Sequence, residues 1–412
     1  MTGLWENSVS WLAVGIPVAL LLLALPVGLA GAYLLGLTLL SRRLRQTSAA
    51  VAPDGYRAYF DIIVPAHDEA GHIADTVRNL LALDWPHDRF RVLVIADNCT
   101  DDTALQARAA GARVIERQNR LQRGKGHALR HAFAVSLAQG LADAMVVVDA
   151  DSVASPNLLA ALAARLQSGA QAVQVFHGVL DAGRTPRTRL MAIAFTGFHR
   201  VRSRGRERLG LSCGLRGNGW CITRTTLLAV PYRAYALAED IEYGLRLGLA
   251  GIRVHYADEA AVLAMMHTDS TGAASQRRRW EEGRWQLLRA SLGPLFAAEP
   301  AASRWLRVDL ALDLLLPPLA VLATSAIAVL LLCVSALLLP VDTGLVGMAV
   351  AIASLALLAL AIHGFRSWRL SGTGQRGLFD LWRLPGLFWW KLGLLLRPSG
   401  NGEWIRTRRF RE

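Results

Sequence analysis

Three long apolar stretches without charged side chains limit what this chain can fold into. Residues 11–40 contain no charged residue, and a helix of that length, at about 1.5 Å per residue, exceeds the roughly 30 Å hydrocarbon core of a bilayer. Residues 314–339 and 343–362 are two further stretches, joined only by PVDTG. The sequence therefore predicts three transmembrane helices, with a mostly polar region between the first and the second that is long enough for one large domain.

Basic residues beside these stretches predict the orientation of the chain. The segment RRLR at 42–45 follows the first stretch, and Arg304 and Arg307 precede the second. Because Lys and Arg are enriched on the cytoplasmic side of membrane helices, we expect the large domain in the cytoplasm. The N-terminal segment MTGLWENSVS has no Lys or Arg, which argues against a cleavable signal peptide. We expect an integral protein of a bacterial inner (cytoplasmic) membrane.

Composition argues against a nucleic-acid partner. The formal charge is +13, with Lys+Arg 45 and Asp+Glu 32, yet 53% of the residues are hydrophobic. Soluble nucleic-acid binders rarely combine these properties, and we find neither a recognised binding module nor a long basic arm. The four cysteines lack the spacing of a metal site, so we assign them no chemistry.

The polar region begins with alternating strand-like and helical segments. Apolar runs such as YFDIIVP, RVLVIAD and AMVVVD are separated by amphipathic helical segments such as EAGHIADTVRNLLAL. This alternation predicts an α/β domain with a mostly parallel sheet. Ligands of such sheets bind beyond the carboxyl ends of the strands. We therefore expect functional side chains in PAHDEA, ADNCTDDT and DADS.

Asp149 and Asp151 stand two residues apart at the end of an apolar strand. Two carboxylates so close repel each other unless a cation lies between them. Hard oxygen ligands suit Mg²⁺ or Mn²⁺ carrying a diphosphate. A solvated loop with two acids is the alternative.

Two other segments offer contacts to a nucleotide. Asp97 and Asn98 follow an earlier strand, where a carboxylate and an amide can bind a nucleobase edge. Asp101 and Asp102 are expected to cap the next helix and to complement its dipole. In RGKGHA, Lys125 lies between two glycines at another helix start, where backbone N–H groups and an ammonium can approach a phosphate.

Glu239 and Asp240 precede a helical run that ends at Gly251. Acids in this position either complement the helix dipole or serve as a general base that removes a proton from an attacking hydroxyl.

The segment SQRRRWEEGRW is predicted to be helical as part of 273–290. In a helix, Gln276, Arg279, Trp280 and Gly283 share one face. The guanidinium suits a pair of phosphate oxygens, and an indole suits the apolar side of a sugar. The other arginines of this segment fall elsewhere, where contact with anionic lipid headgroups is the simpler interpretation.

These motifs, in this order, resemble the family 2 glycosyltransferases, in particular the membrane-embedded branch that contains cellulose, hyaluronan and poly-N-acetylglucosamine synthases. The resemblance rests mainly on the (Q/R)xxRW block followed by membrane spans. It implies a GT-A (Rossmann-like) fold, a divalent metal (Mg²⁺ or Mn²⁺) and an inverting hexosyltransferase that uses a nucleotide sugar, usually a UDP-sugar.

The resemblance also implies site residues. Asp97 would bind the nucleobase of the donor, and Asp149 and Asp151 would bind the metal and the diphosphate. Asp240 would be the general base that removes the acceptor proton, with Glu239 beside it. The first motif departs from the family at Asp68, where Asn is more usual. The full donor-binding set is Pro65, Glu69, Asp97, Lys125, Asp149, Asp151, Gln276 and Arg279, with Trp220 of GNGWCITR and Trp280 at the acceptor.

The expected organisation is an N-terminal transmembrane helix (1–46), the GT-A domain (47–270), the QxxRW segment with interfacial helices (271–308), two transmembrane helices (309–366), and an interfacial helix with a basic cytoplasmic tail (367–412). The resemblance favours extension of a β-linked polysaccharide at the cytoplasmic face, with an oligomer or accessory subunit completing the export path. Three spans are few for a polymer channel, so transfer of one sugar to a lipid acceptor remains the alternative. A non-catalytic transporter or membrane scaffold is a further one.

Overall fold

The computed structural model describes residues 2–44, 57–266, 270–297 and 303–383, without the side chains of 2–12, 270–281 and 284. The strands in these ranges are β1 Phe60–Ala66, β2 Phe90–Asp97, β3 Arg113–Arg117, β4 Ala144–Val147, β5 Ser152–Ala154, β6 Ala172–Val179, β7 Trp220–Thr223 and β8 Val254–Ala264. The helices are α1 Thr2–Leu39, α2 Ile73–Leu81, α3 Thr103–Ala109, α4 Lys125–Gln139, α5 Leu158–Gln167, α6 Pro186–Phe195, α7 Arg202–Arg208, α8 Arg224–Ala229, α9 Glu239–Leu249, α10 Ser270–Phe296, α11 Arg304–Leu315, α12 Leu319–Ala336, α13 Thr343–Ser371 and α14 Gly374–Asp380. A π-helical segment, Thr196–Val201, joins α6 to α7, and short 3₁₀ turns lie at His87–Arg89 and Leu381–Arg383.

One mixed sheet organises the polar domain, in the order β3-β2-β1-β4-β7-β6-β8-β5. Strands β1, β2, β3 and β4 pair in parallel, as do β6 and β8. Strand β7 runs antiparallel between β4 and β6, and β5 is antiparallel to β8. This confirms the predicted α/β fold with a mostly parallel sheet. Parallel strands need helical crossovers, which cover both faces and account for the continuous apolar runs in β1, β2 and β4.

Helices bury both faces of the sheet. On one face, Ile73 and Val77 of α2 and Leu158 of α5 pack against Ile62 and neighbouring residues. On the other, α4 and α9 contribute a second cluster that includes Leu129, Phe133 and Tyr243. The carboxyl ends of β1, β2 and β4 thus open between covered faces, at the edge where ligands bind in such folds.

The start of α4 is held tightly against the segment that leads into α9. A Cβ placed on Gly126 would lie 2.2 Å from the carbonyl oxygen of Ala234. Only glycine allows this approach, and it brings the first residue of α4, Lys125, close to the start of α9.

Three helices are long and apolar enough to cross a membrane, judged by length and composition: Ala13–Leu39, Leu319–Ala336 and Thr343–Ser371. They lie where the sequence predicts spans. The predicted boundary at 309 falls inside α11, a separate helix that ends before α12 begins, and the domain boundaries stay predictions. Helices α1 and α13 approach at small residues: a Cβ on Gly28 would lie 2.4 Å from Ile352 Cγ2, and one on Gly31 would lie 2.9 Å from Ala356 Cα.

The continuous helical rod made of α6, the π segment and α7 lies across one end of α1 and α13. A Cβ on Gly205 would lie 2.5 Å from the carbonyl oxygen of Leu37 in α1. A Cβ on Gly197 would lie 2.7 Å from Ser367 Oγ in α13. We call this rod, residues 186–208, the bridging helix, because it joins the sheet domain to the apolar helices.

Candidate active site

Lys125 brings together acids that are distant in the sequence. Its Nζ lies 2.7 Å from Asp149 Oδ1 and 3.3 Å from Glu239 Oε1, and it donates a hydrogen bond of 2.9 Å to the carbonyl oxygen of Gly217. The DADS segment after β4, the GNG segment before β7 and the first turn of α9 therefore meet at one ammonium group. The sequence predicted that Lys125 lies near a phosphate. In the structure its ammonium contacts the carboxylates of Asp149 and Glu239.

The charges at this point change the proton affinities of the groups involved. Burial lowers the pKa of Lys125, but Asp149 and Glu239 outweigh burial and raise it overall, so Lys125 stays protonated. Burial, followed by the neighbouring charge of Glu239, raises the pKa of Asp240 to about 7, although Lys125 acts in the opposite direction. A carboxyl that titrates near neutral pH is suited to accept a proton during catalysis.

Asn218 fixes the turn that carries Asp149 and was missed in the sequence. Its Oδ1 accepts the N–H of Asp149 at 3.1 Å, and its Nδ2 donates to Ser152 Oγ at 2.7 Å. Its own carbonyl accepts from Gln174 Nε2 at 2.7 Å. The polar residue between two glycines in GNGWCITR was the available signal, because a fully buried amide needs partners on every side.

The glycine on the amino side of Asn218 is required for the same arrangement. Gly217 has φ +82°, and a Cβ there would lie 3.6 Å from Asp240 Oδ2. A left-handed conformation at this residue turns the chain so that its carbonyl meets Lys125 while its Cα faces Asp240.

Asp97 is buried at the end of β2 and pairs with Arg117 at the end of β3. Arg117 was not predicted as a site residue. It lies opposite Asp97 where β2 and β3 pair in parallel, and the sequence alone does not show this register. Asn98, with φ 52°, accepts the N–H of Asn119 at 2.8 Å, and its Nδ2 has no hydrogen-bond partner within the described part of the chain. A carboxylate paired with Arg117 and an amide donor without such a partner in the described residues thus belong to consecutive residues at the end of β2.

A second group of possible metal ligands lies nearby. The side-chain ligand atoms of Asp68, Cys99 and Asp101 all lie within 4.8 Å of one another. Asp68 Oδ1 accepts the N–H of Thr100 at 2.7 Å, and Asp101 accepts that of Thr103 at 3.0 Å. These carboxylates hold the turn that opens α3, as expected for Asp101. Asp102 is the N-cap residue of α3, but within the described residues its side chain makes no cap hydrogen bond.

The residues of the first motif lie near the carboxyl end of β1, whereas the tryptophan of GNGWCITR lies in the core. Pro65 is half-buried within β1, and the N–H of Glu69 donates to Thr103 Oγ1 at 2.7 Å just before α2. The prediction that Trp220 binds acceptor was wrong: its side chain is 0% exposed and packs between Phe133 and Tyr243 in the core. As the first residue of β7, Trp220 directs its indole under the sheet instead of toward ligand.

The predicted helix over 273–290 is present as α10, which contains Gln276, Arg279 and Trp280. The side chains of these three residues lie outside the part that the structure describes. Gly283 is described, and a Cβ on it would lie 3.0 Å from the backbone nitrogen of Ala238, the residue before Glu239. Helix α10 therefore packs directly against the start of α9.

Known proteins are similar to this chain in sequence. The family model described as "Glycosyltransferase like family 2" matches residues 57–283. "Probable glycosyltransferase YdaM" of Bacillus subtilis is 25% identical over 244 residues, which are 57% of this chain and 57% of that protein. "Beta-monoglucosyldiacylglycerol synthase" of Nostoc sp. is 28% identical over 239 residues, 56% of this chain and 50% of that protein. The chain thus aligns with about half the length of these curated relatives.

A solved structure supports the fold. "Mannosyltransferase PcManGT from Pyrobaculum calidifontis in complex with GDP-Man and Mn2+" matches with a TM-score of 0.55 and 16% identity, over 85% of this chain and 98% of that chain. At this identity the match concerns the fold, and it agrees with the GT-A architecture predicted from the motifs.

Proposed function

Because the chain belongs to the glycosyltransferase-like family 2, we propose that it transfers a single sugar, with inversion, from a nucleotide sugar to a lipid acceptor at the surface of a membrane. Family membership makes it a hexosyltransferase that uses a nucleotide sugar. The relatives named beta-monoglucosyldiacylglycerol synthase favour the lipid alternative over the extension of a β-linked polysaccharide. We infer that the donor is a UDP-sugar, as in the family branch that the motifs resemble.

The meeting of Asp149 and Glu239 on Lys125 carries this proposal. Asp149 belongs to the strand end expected to receive the donor diphosphate, and Glu239 adjoins the candidate base. One ammonium group joins the two, so the leaving group and the attacking hydroxyl would meet within a few bond lengths of each other. Proximity of this kind removes a large part of the entropic barrier of a two-substrate reaction.

We propose that Asp151 and Asp149 hold a divalent metal ion. The donor set fits, because two carboxylates at a strand end are hard oxygen ligands of the kind that Mg²⁺ and Mn²⁺ prefer. Asp149 also contacts Lys125, so the ammonium and the ion would share one anionic centre. The bound ion would supply positive charge for the leaving diphosphate.

Asp240 is the proposed base. Its raised pKa, about 7, lets it take the proton of the acceptor hydroxyl near neutral pH, while Glu239 stays bound to Lys125. Helical periodicity places Gln276, Arg279 and Trp280 on the face of α10 that includes Gly283, which packs beside Ala238. We therefore propose that Gln276 and Arg279 meet the diphosphate and that Trp280 meets the acceptor.

Close packing of the apolar helices supports a lipid acceptor instead of an exported polymer. Gly28 allows α1 to pack against the side chain of Ile352, and Gly31 allows it to pack against the backbone of Ala356 in α13, as small residues do between membrane helices. Such contact leaves no room for a glycan between these two helices. An acceptor lipid needs only the bilayer surface.

The membrane placement is also a proposal. We propose that the three apolar helices span a bacterial cytoplasmic membrane with the sheet domain in the cytoplasm, as the basic flanks suggest. In the described part after α13, Phe379 is 75% exposed and Trp382 is 90% exposed. Exposed aromatic side chains next to a span suit the membrane interface, and the rest of the predicted interfacial helix lies outside the described residues.

Product analysis tests the proposal. Membranes that contain the protein would be supplied in turn with labelled UDP-glucose, UDP-N-acetylglucosamine, UDP-galactose and GDP-mannose, with Asp240→Asn as the inactive control. We expect one labelled, solvent-extractable lipid that carries a single sugar. A high-molecular-weight product would contradict single transfer, and equal incorporation by Asp240→Asn would favour a scaffold or transporter.

Arg279→Ala tests the place given to α10. We expect donor binding to weaken by about 2 to 4 kcal/mol, as for a lost charge-assisted pair, while Arg278→Ala serves as the matched control. Unchanged donor affinity in Arg279→Ala would assign this arginine to the lipid surface.

A further inference from the structure

The π-helical segment Thr196–Val201 interrupts the bridging helix where that helix lies against the membrane part. Residues on both sides of it are helical, with φ −61° at Phe195 and φ −64° at Arg202. A π turn adds a residue to the helix and changes the direction of the side chains that follow, and such turns are frequent at functional sites. The side chain that this turn directs toward the sheet belongs to His199.

His199 faces His177 at the end of β6. Their ring centroids are 4.9 Å apart, and Phe195 packs against both rings at 5.4 Å and 5.0 Å. Both histidines are more than nine-tenths buried. His177 Nε2 and His199 Nδ1 have no hydrogen-bond partner among the residues that the structure describes. Buried nitrogens without partners cost free energy unless a ligand or water completes them.

The tautomer of His177 follows from its one hydrogen bond. Its Nδ1 contacts the carbonyl oxygen of Arg216 at 3.0 Å, and a carbonyl can only accept, so Nδ1 carries the proton. The unpartnered Nε2 is therefore a lone-pair acceptor. This nitrogen can accept a hydrogen bond from a donor such as a hydroxyl group.

His177 is tied to the reacting centre. The residue that follows Arg216 is Gly217, whose carbonyl accepts from Lys125 and whose Cα faces Asp240. The charges of Asp149 and Asp151 also act on the His177 ring. His177 thus contacts the segment that leads to Gly217, and Gly197, two residues before His199, packs against Ser367 of α13. The histidine pair therefore lies close both to the proposed site and to the apolar helices.

The pair is uncharged. Burial lowers the pKa of both His177 and His199, and for His199 the neighbouring His177 ring adds to the effect. The nearest guanidinium groups are already occupied, because Arg202 and Arg216 both contact Asp313. The unused hydrogen-bonding capacity therefore belongs to neutral nitrogens, which match a hydroxyl better than a phosphate.

We propose that His177 and His199 form the subsite for the acceptor headgroup, and that this headgroup is an uncharged, hydroxyl-bearing one, such as that of a diacylglycerol or a neutral glycolipid. The inference rests on the proposed transfer to a lipid. A headgroup hydroxyl would donate to His177 Nε2, and because a hydroxyl both donates and accepts, it satisfies either tautomer of His199. The two histidines bind and orient the acceptor, while Asp240 remains the base.

The test uses the full-length protein in phosphatidylcholine vesicles that contain either diacylglycerol or phosphatidylglycerol as added acceptor. His177→Phe and His199→Phe keep a ring but remove the nitrogens, and His177→Gln restores an acceptor atom. His131→Gln, on the outer part of α4, is the control. Acceptor KM, donor KM and donor hydrolysis in vesicles without added acceptor are measured for each protein.

We expect each Phe variant to raise the KM for diacylglycerol about five- to tenfold, the effect of a lost neutral hydrogen bond, with donor KM and donor hydrolysis unchanged. His177→Gln should recover part of the loss. Unchanged acceptor KM in both Phe variants, or a parallel loss of donor hydrolysis, would overturn the subsite. Wild-type preference for phosphatidylglycerol would overturn the uncharged headgroup. Absence of any lipid product from the wild-type protein would instead refute the proposed function, and the subsite with it.

Discussion

Replacement of Lys125 by methionine tests the electrostatic centre of the site. The side chain keeps its length but loses the ammonium that lies 2.7 Å from Asp149 and 3.3 Å from Glu239. At an effective dielectric constant of about 20, these distances correspond to gross attractions of about 6 and about 5 kcal/mol. Desolvation offsets most of this, and the Lys125 and Asp149 side chains are 28% and 30% exposed. We therefore expect a net destabilisation of about 2 to 3 kcal/mol.

The variant also changes the pH dependence of the reaction. Lys125 lowers the pKa of Asp240, which burial and Glu239 raise to about 7. Without the ammonium we expect that pKa to rise by about one unit. A base works only when it is deprotonated, so the rising limb of kcat/KM should move from near pH 7 to near pH 8.

Stability should respond in the same direction. A carboxyl whose pKa is raised by folding contributes stability that is present at low pH and is lost as pH rises through its folded pKa. The Tm difference between Lys125→Met and the wild-type protein should therefore be larger at pH 8.5 than at pH 6. Thermal unfolding in detergent measures this difference.

Two controls separate the explanations. Lys125→Arg keeps the charge and should keep the rising limb near its wild-type position, whereas Asp240→Asn should abolish the limb if Asp240 is the titrating base. If the limbs of Lys125→Met and the wild-type protein coincide, the coupling inferred from the ion pairs is wrong.

Three other predictions concern the scaffold and the metal. Asp61→Asn should destabilise the protein by about 3 kcal/mol, because Asp61 is fully buried and accepts from Arg91 at 2.7 and 2.8 Å; Asp75→Asn, in an exposed pair, should change thermal stability by less than about 1 kcal/mol. Gly126→Val should lower both Tm and activity, because its side chain would collide with the carbonyl of Ala234 and displace the start of α4. Asp151→Ala should abolish turnover and metal-dependent donor binding, as measured by donor titration with and without Mn²⁺; retained transfer would contradict the metal role.

The elements that sequence reasoning located well are those with strong periodicity. Strand β1 pairs with β2 from Phe60 to Ala66 without a register shift, and its apolar run predicted it. The apolar helices were located for the same reason. Strands β5, β6, β7 and β8 were not predicted. Of these, β5 and β7 have only three and four residues, which carry little pattern to separate strand from loop.

Some residues of the candidate site could be predicted from the sequence, and others could not. Asp149 and the Glu239–Asp240 pair were predicted because acids at element boundaries are visible in a sequence, and the structure brings Asp149 and Glu239 together at Lys125. Partners chosen by tertiary structure were not visible: Asn218 and Arg117 are ordinary polar residues until the fold places them beside those acids. Trp220 was misassigned for the same reason, because sequence does not show toward which side of a strand a side chain turns.

The contacts of α11 show how the sheet domain is joined to the segment that leads to the apolar helices. Asp309 and Asp313 lie one helical turn apart on α11, and both are engaged by arginines: Asp309 by Arg206 at 2.6 Å, and Asp313 by Arg216 at 2.9 Å and by Arg202. Burial raises the pKa of Asp309 to about 6, whereas the surrounding guanidinium groups overcome burial and lower the pKa of Asp313.

Helix α11 thus buries two acids against arginines of the sheet domain and precedes the apolar helix α12. Arg216 directly precedes Gly217, whose backbone meets both Lys125 and Asp240. Arg216, the residue before Gly217, is therefore held by α11, the helix that precedes α12 in the chain. If the protein transfers a sugar to a lipid, as we propose, a lipid beside the apolar helices would reach the candidate base close to this contact.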